Sequence, residues 1–314
     1  MNSGYDNDKN DERSYVPIAD DYVFPKIKDV IAAPELKKGL EDIVLTINNP
    51  EIFSLMGVSP DKSFLFTGPP GTGKTMSAKA IRNEVQETNP RDPKPEIAWL
   101  PYNIGQVGTA YINMGAVNLQ NIFDVGRSLV QNNHIVLYFF DEADVILTKR
   151  GGHHSHKEDE KILDCLMKNL QNINNYESNQ YVIFATNFPG ALDTAAIRAG
   201  RIDRKIHFPF PGVEELSQAY SLYVDLTNNR AQYALFGNID FKRLAKRSIG
   251  FTYADISSVV EKTVRTKVFD VLRDEKYVYE APTLFQADLE NTIVEHFKTL
   301  QHDKKEYQIG FKTN

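Results

Sequence analysis

The sequence predicts an α/β fold, a five-stranded parallel sheet with flanking helices, followed by a small all-α C-terminal domain. Three observations carry that expectation. Short runs rich in apolar, β-branched and aromatic residues alternate with stretches of helical periodicity. A glycine-rich loop joins the first of these runs to a helical stretch. After Pro209 and Pro211 the strand signal stops, and helical patterns continue to near the end.

The strand candidates are residues 64–67, 97–100, 135–140, 181–185 and 205–208. Between them the helical repeats are Ala78, Ile81 and Val85; then Leu119, Ile122, Phe123, Gly126 and Leu129; then Ile162, Leu163, Leu166, Met167, Leu170 and Ile173. Each set lays one apolar face on the sheet. Past Pro211, Leu216, Ala219, Tyr220 and Tyr223 mark one helix, and Val259, Val260, Val264, Val268 and Val271 mark another. A third opens on a capping-box pattern, Thr283 with Gln286 three residues on, then Leu289, Ile293 and Phe297. The expected organisation is a polar, disordered tail over 1–23, an α/β domain over 24–211, and a helical domain with a C-terminal tail over 212–314.

A chain of 314 residues has room for one large domain and a smaller one. With 41% hydrophobic and 25% charged residues the composition is that of an ordinary soluble protein, and no apolar run is long enough to cross a bilayer. The net charge of −6 argues against a protein that grips a nucleic-acid backbone over its whole surface, so nucleic acid is not an expected partner. Residues 1–13 lack the basic-then-apolar order of a secretory signal, and a cytoplasmic location is expected. Cys165 is the single cysteine, so it forms no internal disulfide and has no second thiolate for a metal. Its neighbours Leu163, Leu166 and Met167 point to burial.

Gly68-Pro-Pro-Gly-Thr-Gly-Lys-Thr75 fits the eight-residue phosphate-loop pattern, placed between a strand candidate and a helix. Glycines let the backbone wrap with its N–H groups inward, and the helix N-terminus adds partial positive charge. Lys74 then reaches the β and γ phosphates, and Thr75 holds Mg2+. The run 135–140 delivers Asp141 and Glu142 at its C-terminal end, where open α/β sheets bind ligands. In this Walker B arrangement Asp141 holds Mg2+ through water and Glu142 polarises the attacking water. Two acids at the end of a core strand are costly without a cation or solvent.

Asp141-Glu142-Ala143-Asp144 also spells the signature of DEAD-box helicases. That reading fails on context. Those enzymes carry a Ser-Ala-Thr motif and a second sheet domain, whereas here the next strand ends in Ala185-Thr186-Asn187 and the region beyond Pro211 is helical.

The chain resembles the AAA family of the AAA+ ATPases, the group that contains the Cdc48-type unfoldases, the proteasomal ATPases and the FtsH-type proteases. The resemblance runs over about residues 29–300. It rests on four blocks in the family order: 49–58, the phosphate loop, 190–204 with its Arg198-Ala-Gly-Arg201, and Gly250-Phe-Thr-Tyr-Ala-Asp-Ile256. It implies ATP and Mg2+ as ligands, with nucleotide contacts from Pro70, Gly71, Thr72, Gly73, Lys74, Thr75, Met76 and Asp141. By position alone, Ile31 and Ala254 lie near the adenine, although Ala32 stands where glycine is frequent.

The resemblance further implies a catalytic set. Asn187 matches the sensor 1 position, where an amide can hydrogen-bond both the γ-phosphate and the attacking water. Arg198 and Arg201 match the paired arginine fingers, presented to the nucleotide of the next subunit. Residues 105–123 resemble the pore segment, with Tyr111 and Ile112 at the pair that grips polypeptide, Asn113 where the family usually has glycine, and Phe123 on the following helix. His153, His154 and His156 fall in the loop where the family places a second pore loop; as a metal site the cluster is weak, since a structural site wants its ligands on rigid elements, and a solvated loop is expected. Tyr253 replaces the usual glycine beside Ala254 and Asp255.

The implied function is ATP hydrolysis by a homo-oligomeric ring, expected as a hexamer, that remodels or unfolds a protein substrate engaged in its central pore. With no protease motif and no folded N-terminal domain in the sequence, the target is expected to be met through the tail, the pore or an adaptor. The alternative is a nucleotide-gated scaffold that binds and releases one partner complex without threading it.

Overall fold

Ser63-Phe-Leu-Phe-Thr67 is buried along its whole length, which requires strand neighbours on both edges and helices on both faces. The computed structural model supplies both, and it describes residues 25–103, 115–147, 157–175, 178–192, 202–231, 234–273 and 283–310. Five strands, β1 (Ser63–Thr67), β2 (Glu96–Asn103), β3 (His134–Asp141), β4 (Gln180–Thr186) and β5 (Arg204–His207), form one parallel sheet in the order β2-β3-β4-β1-β5. The observed strands overlap all five expected ones. Phe208 falls just outside the last, yet its N–H still donates to the Thr67 carbonyl at 2.7 Å.

The order has a direct consequence for the site. From β1 the chain crosses to the far edge at β2 and works back through β3 to β4, which inserts between β3 and β1. The carboxyl ends of β1, β4 and β3 therefore stand side by side, although the loops that leave them are far apart in sequence.

Along β3 the side chains alternate. Val136, Tyr138 and Phe140 face a core shared with α4 (Gly115–Gln131) and α6 (Lys157–Asn175), and Ile135, Leu137 and Phe139 face a core shared with α1 (Pro34–Asn48) and α3 (Lys74–Thr88). Both sets are buried, which is why the strand is apolar without alternation. Two short helices, α2 (Pro50–Leu55) and α5 (Asp144–Leu147), complete this part of the chain. Cys165 is half-buried rather than sealed, with its thiol donating to Gln120 Oε1 at 3.4 Å. Phe123 is 1% exposed and packs on Tyr138 at 4.8 Å, so it belongs to the core and not to a pore surface.

The C-terminal region is helical: α7 (Val213–Ala231), α8 (Phe241–Arg247), α9 (Tyr253–Arg273) and α10 (Gln286–Gly310). Its own core gathers Leu216, Tyr220, Leu244, Phe251, Val260 and Ile293. Two expectations need correction. Val268, counted into the apolar face of α9, is 46% exposed. Thr283 does not cap α10; the Phe285 N–H donates to Asp288 Oδ2 at 2.8 Å, and Gln286 Oε1 accepts from the Asp240 N–H. The reason is an isolated parallel bridge between Phe236 and Leu284, which holds the chain extended through the position where the helix would have begun. Among the described residues, no helix is long and apolar enough to cross a membrane.

Candidate active site

The loop after β1 turns where only glycine is comfortable. Gly71 has φ of 74°, and a Cβ there would lie 2.7 Å from Thr252 Oγ1 and 2.8 Å from the Ala254 Cβ. Gly73, with φ of 92°, is the N-cap of α3. Lys74 comes next as the first residue of that helix and is 6% exposed. Its ammonium donates to the carbonyls of Gly68 at 2.8 Å and Pro69 at 2.7 Å, and the Thr72 hydroxyl donates to Pro69 at 2.8 Å. Burial pushes the Lys74 pKa down, and the Asp141 carboxylate partly opposes that. Pro70, Gly71, Thr75 and Met76 are exposed around this buried pair of Thr72 and Lys74.

At the end of β3, Asp141 is half-buried. Its Oδ2 accepts the Thr75 hydroxyl at 2.9 Å and its Oδ1 accepts the Glu142 N–H at 3.0 Å. The hydroxyl hydrogen is thereby spent on the carboxylate, leaving the Thr75 oxygen lone pairs for a cation. A hydroxyl beside a carboxylate is a hard oxygen set that fits Mg2+. Among the described residues there is no group of three or more His, Cys, Asp and Glu able to cage a metal.

Glu142 is exposed and holds φ of 52°, left-handed without being glycine. The strain is held on both sides. The Ala143 N–H donates to the Ala185 carbonyl at 2.8 Å, and the Glu142 carbonyl accepts from Val145 at 3.0 Å to start α5. Asn187 is half-buried at the exit of β4, between the ends of β1 and β3. Its turn is fixed by Thr186, whose hydroxyl donates to Asp144 Oδ1 at 2.7 Å and accepts the Phe188 N–H at 3.0 Å. Asp144, seen in the sequence only as the fourth letter of a helicase signature, is thus the anchor of this turn.

The helical region closes the site from the other side. The N–H groups of Tyr253 and Ala254 donate to the Gly71 carbonyl at 3.1 and 3.4 Å. The Tyr253 ring lies 4.0 Å from where a Cβ on Gly73 would stand, and its hydroxyl pKa is raised by burial, then by Glu215 and Tyr223. Ile31 packs against the helical core while Val30 and Ala32 pack against the α/β core, so Ile31 sits at the seam.

The structure therefore gathers Pro70 to Met76, Asp141, Glu142, Asn187 and Ala254 at one end of the sheet, with Ile31 at the adjoining seam. Arg198, Arg201, Tyr111, Ile112, Asn113 and the histidines 153, 154 and 156 lie outside the described residues. Arg204, just beyond Arg201, pairs within the chain with Asp42 at 2.8 Å, and Lys205 is exposed.

Residues 64–210 match the model of the ATPase family associated with various cellular activities (AAA). Over 240 residues the chain is 30% identical to the proteasome-activating nucleotidase of Methanosarcina mazei, an alignment covering 76% of this chain and 51% of that relative. The chain thus spans about half the length of that relative. With a five-stranded parallel sheet, a glycine-rich loop on β1 and an Asp-Glu pair on β3, the chain belongs to the AAA family of ATPases.

Proposed function

We propose that the chain hydrolyses ATP to ADP and phosphate and uses the cycle to remodel or unfold protein as a homo-oligomeric ring, expected as a hexamer. The observation that carries the chemistry is the contact of Thr75 with Asp141 beside the buried Lys74. Lys74 and the N–H groups of residues 71–76 bind the phosphates at the start of α3. Thr75 and Asp141 hold Mg2+, which neutralises phosphate charge when bound. Glu142 accepts a proton from, and orients, the attacking water, and Asn187 holds that water against the γ-phosphate. Arg198 and Arg201 act from a neighbouring copy on the charge that develops in the transition state. The remodelling half of the reading is supported by the name of the relative, a proteasome-activating nucleotidase, and by Tyr111 and Ile112 in the sequence.

Three variants test the reading in one set of assays, phosphate release and unfolding of a tagged protein substrate. Glu142→Gln is expected to bind ATP normally and to lose roughly 10²–10⁴-fold in hydrolysis. Mixed Lys74→Ala and Arg198→Ala chains, each inactive alone, regain part of the activity if the two residues serve one site from different subunits. Tyr111→Ala abolishes unfolding while ATP hydrolysis persists; a parent chain that hydrolyses ATP and releases a partner but unfolds nothing, with neither activity changed by Tyr111→Ala, points instead to a nucleotide-gated scaffold.

A further inference from the structure

We propose that His296, on α10, is a positioning residue for the nucleotide site, holding the phosphate loop through Asp255 and Thr252. The proposal rests on the nucleotide reading above. His296 Nε2 lies 2.9 Å from Asp255 Oδ1, and the pair is largely buried, at 15% and 21% side-chain exposure. The other carboxylate oxygen of Asp255 accepts both the N–H and the hydroxyl of Thr252 at 2.8 Å each, and the Asp255 N–H returns to Thr252 Oγ1 at 3.3 Å. This reciprocal cap sets the first turn of α9. The next two donors of that turn, the N–H groups of Tyr253 and Ala254, have no partner within their own helix and are spent on the Gly71 carbonyl.

The peptide plane explains why this matters. In a trans peptide the carbonyl and the following N–H point in opposite directions. Pinning the Gly71 oxygen toward α9 therefore fixes the Thr72 N–H away from α9, on the side where a loop of this kind offers its donors to phosphate. Gly71 has no side chain to resist a flip, so the restraint must come from outside the loop. The imidazole is itself held by the edge-on ring of Phe251, 5.0 Å away, and Phe251 packs on Phe297 at 4.4 Å. The route from α10 to the phosphate loop is thus continuous.

The test uses the full chain. His296→Asn is too short to bring a donor to the place of Nε2, whereas His296→Gln puts its amide Nε2 there. For the Asn variant we expect the ADP Kd, by calorimetry with Mg2+, and the KM for ATP to rise about tenfold with kcat nearly unchanged. The Gln variant stays close to the parent. Amide hydrogen exchange of residues 71–73, measured without added nucleotide, speeds several-fold in the Asn variant only. Should the Asn variant not fold, Thr252→Val, which removes the hydroxyl but keeps the backbone donor, is expected to show the same changes at smaller size. Unaltered exchange and affinity in the Asn variant, or in Thr252→Val where that stands in, overturns the proposal, as does a Gln variant as impaired as Asn. If the parent chain binds no ADP, the nucleotide reading fails, and the exchange measurement still decides whether His296 positions the loop.

Discussion

The Thr75 hydroxyl and the Asp141 carboxylate, 66 positions apart, meet at 2.9 Å across the end of β4. One residue stands in the first turn of α3 and the other closes β3, so the contact joins the phosphate loop to the Asp-Glu pair. If both hold one cation, their losses do not add. Thr75→Ala and Asp141→Asn are each expected to raise the Mg2+ concentration for half-maximal hydrolysis by about 10–100-fold. The double variant should be little worse than the poorer single one. Mg2+ titrations of phosphate release measure this, and a double variant equal to the product of the singles places the two residues in separate roles.

Much of this site was legible because it depends on local spacing. The phosphate loop needs its residues in a fixed order over one turn, and the strands are short apolar runs because both faces are covered. Long-range pairs leave no such trace. Thr186 and Asp144 are 42 residues apart, and Asp255 and His296 are 41 apart; each residue type is ordinary where it stands. The capping-box pattern at Thr283 misled for a related reason, since the bridge at Leu284 overrode a local preference. Periodicity placed Val268 on the apolar face of α9, but it does not say how far along a helix the neighbours extend.

Gly71 carries two constraints at once, a left-handed backbone and contact with Thr252 and Ala254. Gly71→Ala meets both. The backbone term and the overpacking term together are expected to cost about 2–4 kcal/mol, or to push α9 off the loop and weaken nucleotide binding instead. Chemical denaturation and ADP titration together separate the two routes. A variant unchanged in both would mean that the loop and the helical region are not in contact in solution.

Asp255 gives the fold a pH dependence of known sign. Burial pushes its pKa up, but the Thr252 N–H, His296 and the Thr252 hydroxyl outweigh that, and the net value lies below the ordinary 3.8. A carboxylate depressed in the folded state stabilises it above the unfolded pKa, and that contribution is lost as pH falls through the folded value. The Tm gap between the parent and Asp255→Asn should therefore be steady down to about pH 4 and close below it. A gap that widens in acid would remove Asp255 from the account.

Gly126 on α4 tests the packing beneath the site without touching the chemistry. A Cβ there would fall 1.7 Å from the Tyr138 hydroxyl and 2.6 Å from Cζ, so the helix can lie this close to β3 only because the side chain is absent. The same closeness lets the Tyr138 hydroxyl donate to the buried Gln180 Oε1 at 2.7 Å, tying β3 to β4 just where β4 begins. Gly126→Ala gains helix propensity, about 1 kcal/mol, and loses more to overpacking. The net is expected to be destabilising by about 1–2 kcal/mol, read as a lower denaturant midpoint. Adding Tyr138→Phe removes the nearest atom but leaves Cζ in the way and strips Gln180 of its donor. The pair should therefore recover only part of the loss. Full recovery would show that the hydroxyl clash is the whole cost and that the Gln180 hydrogen bond contributes nothing to stability.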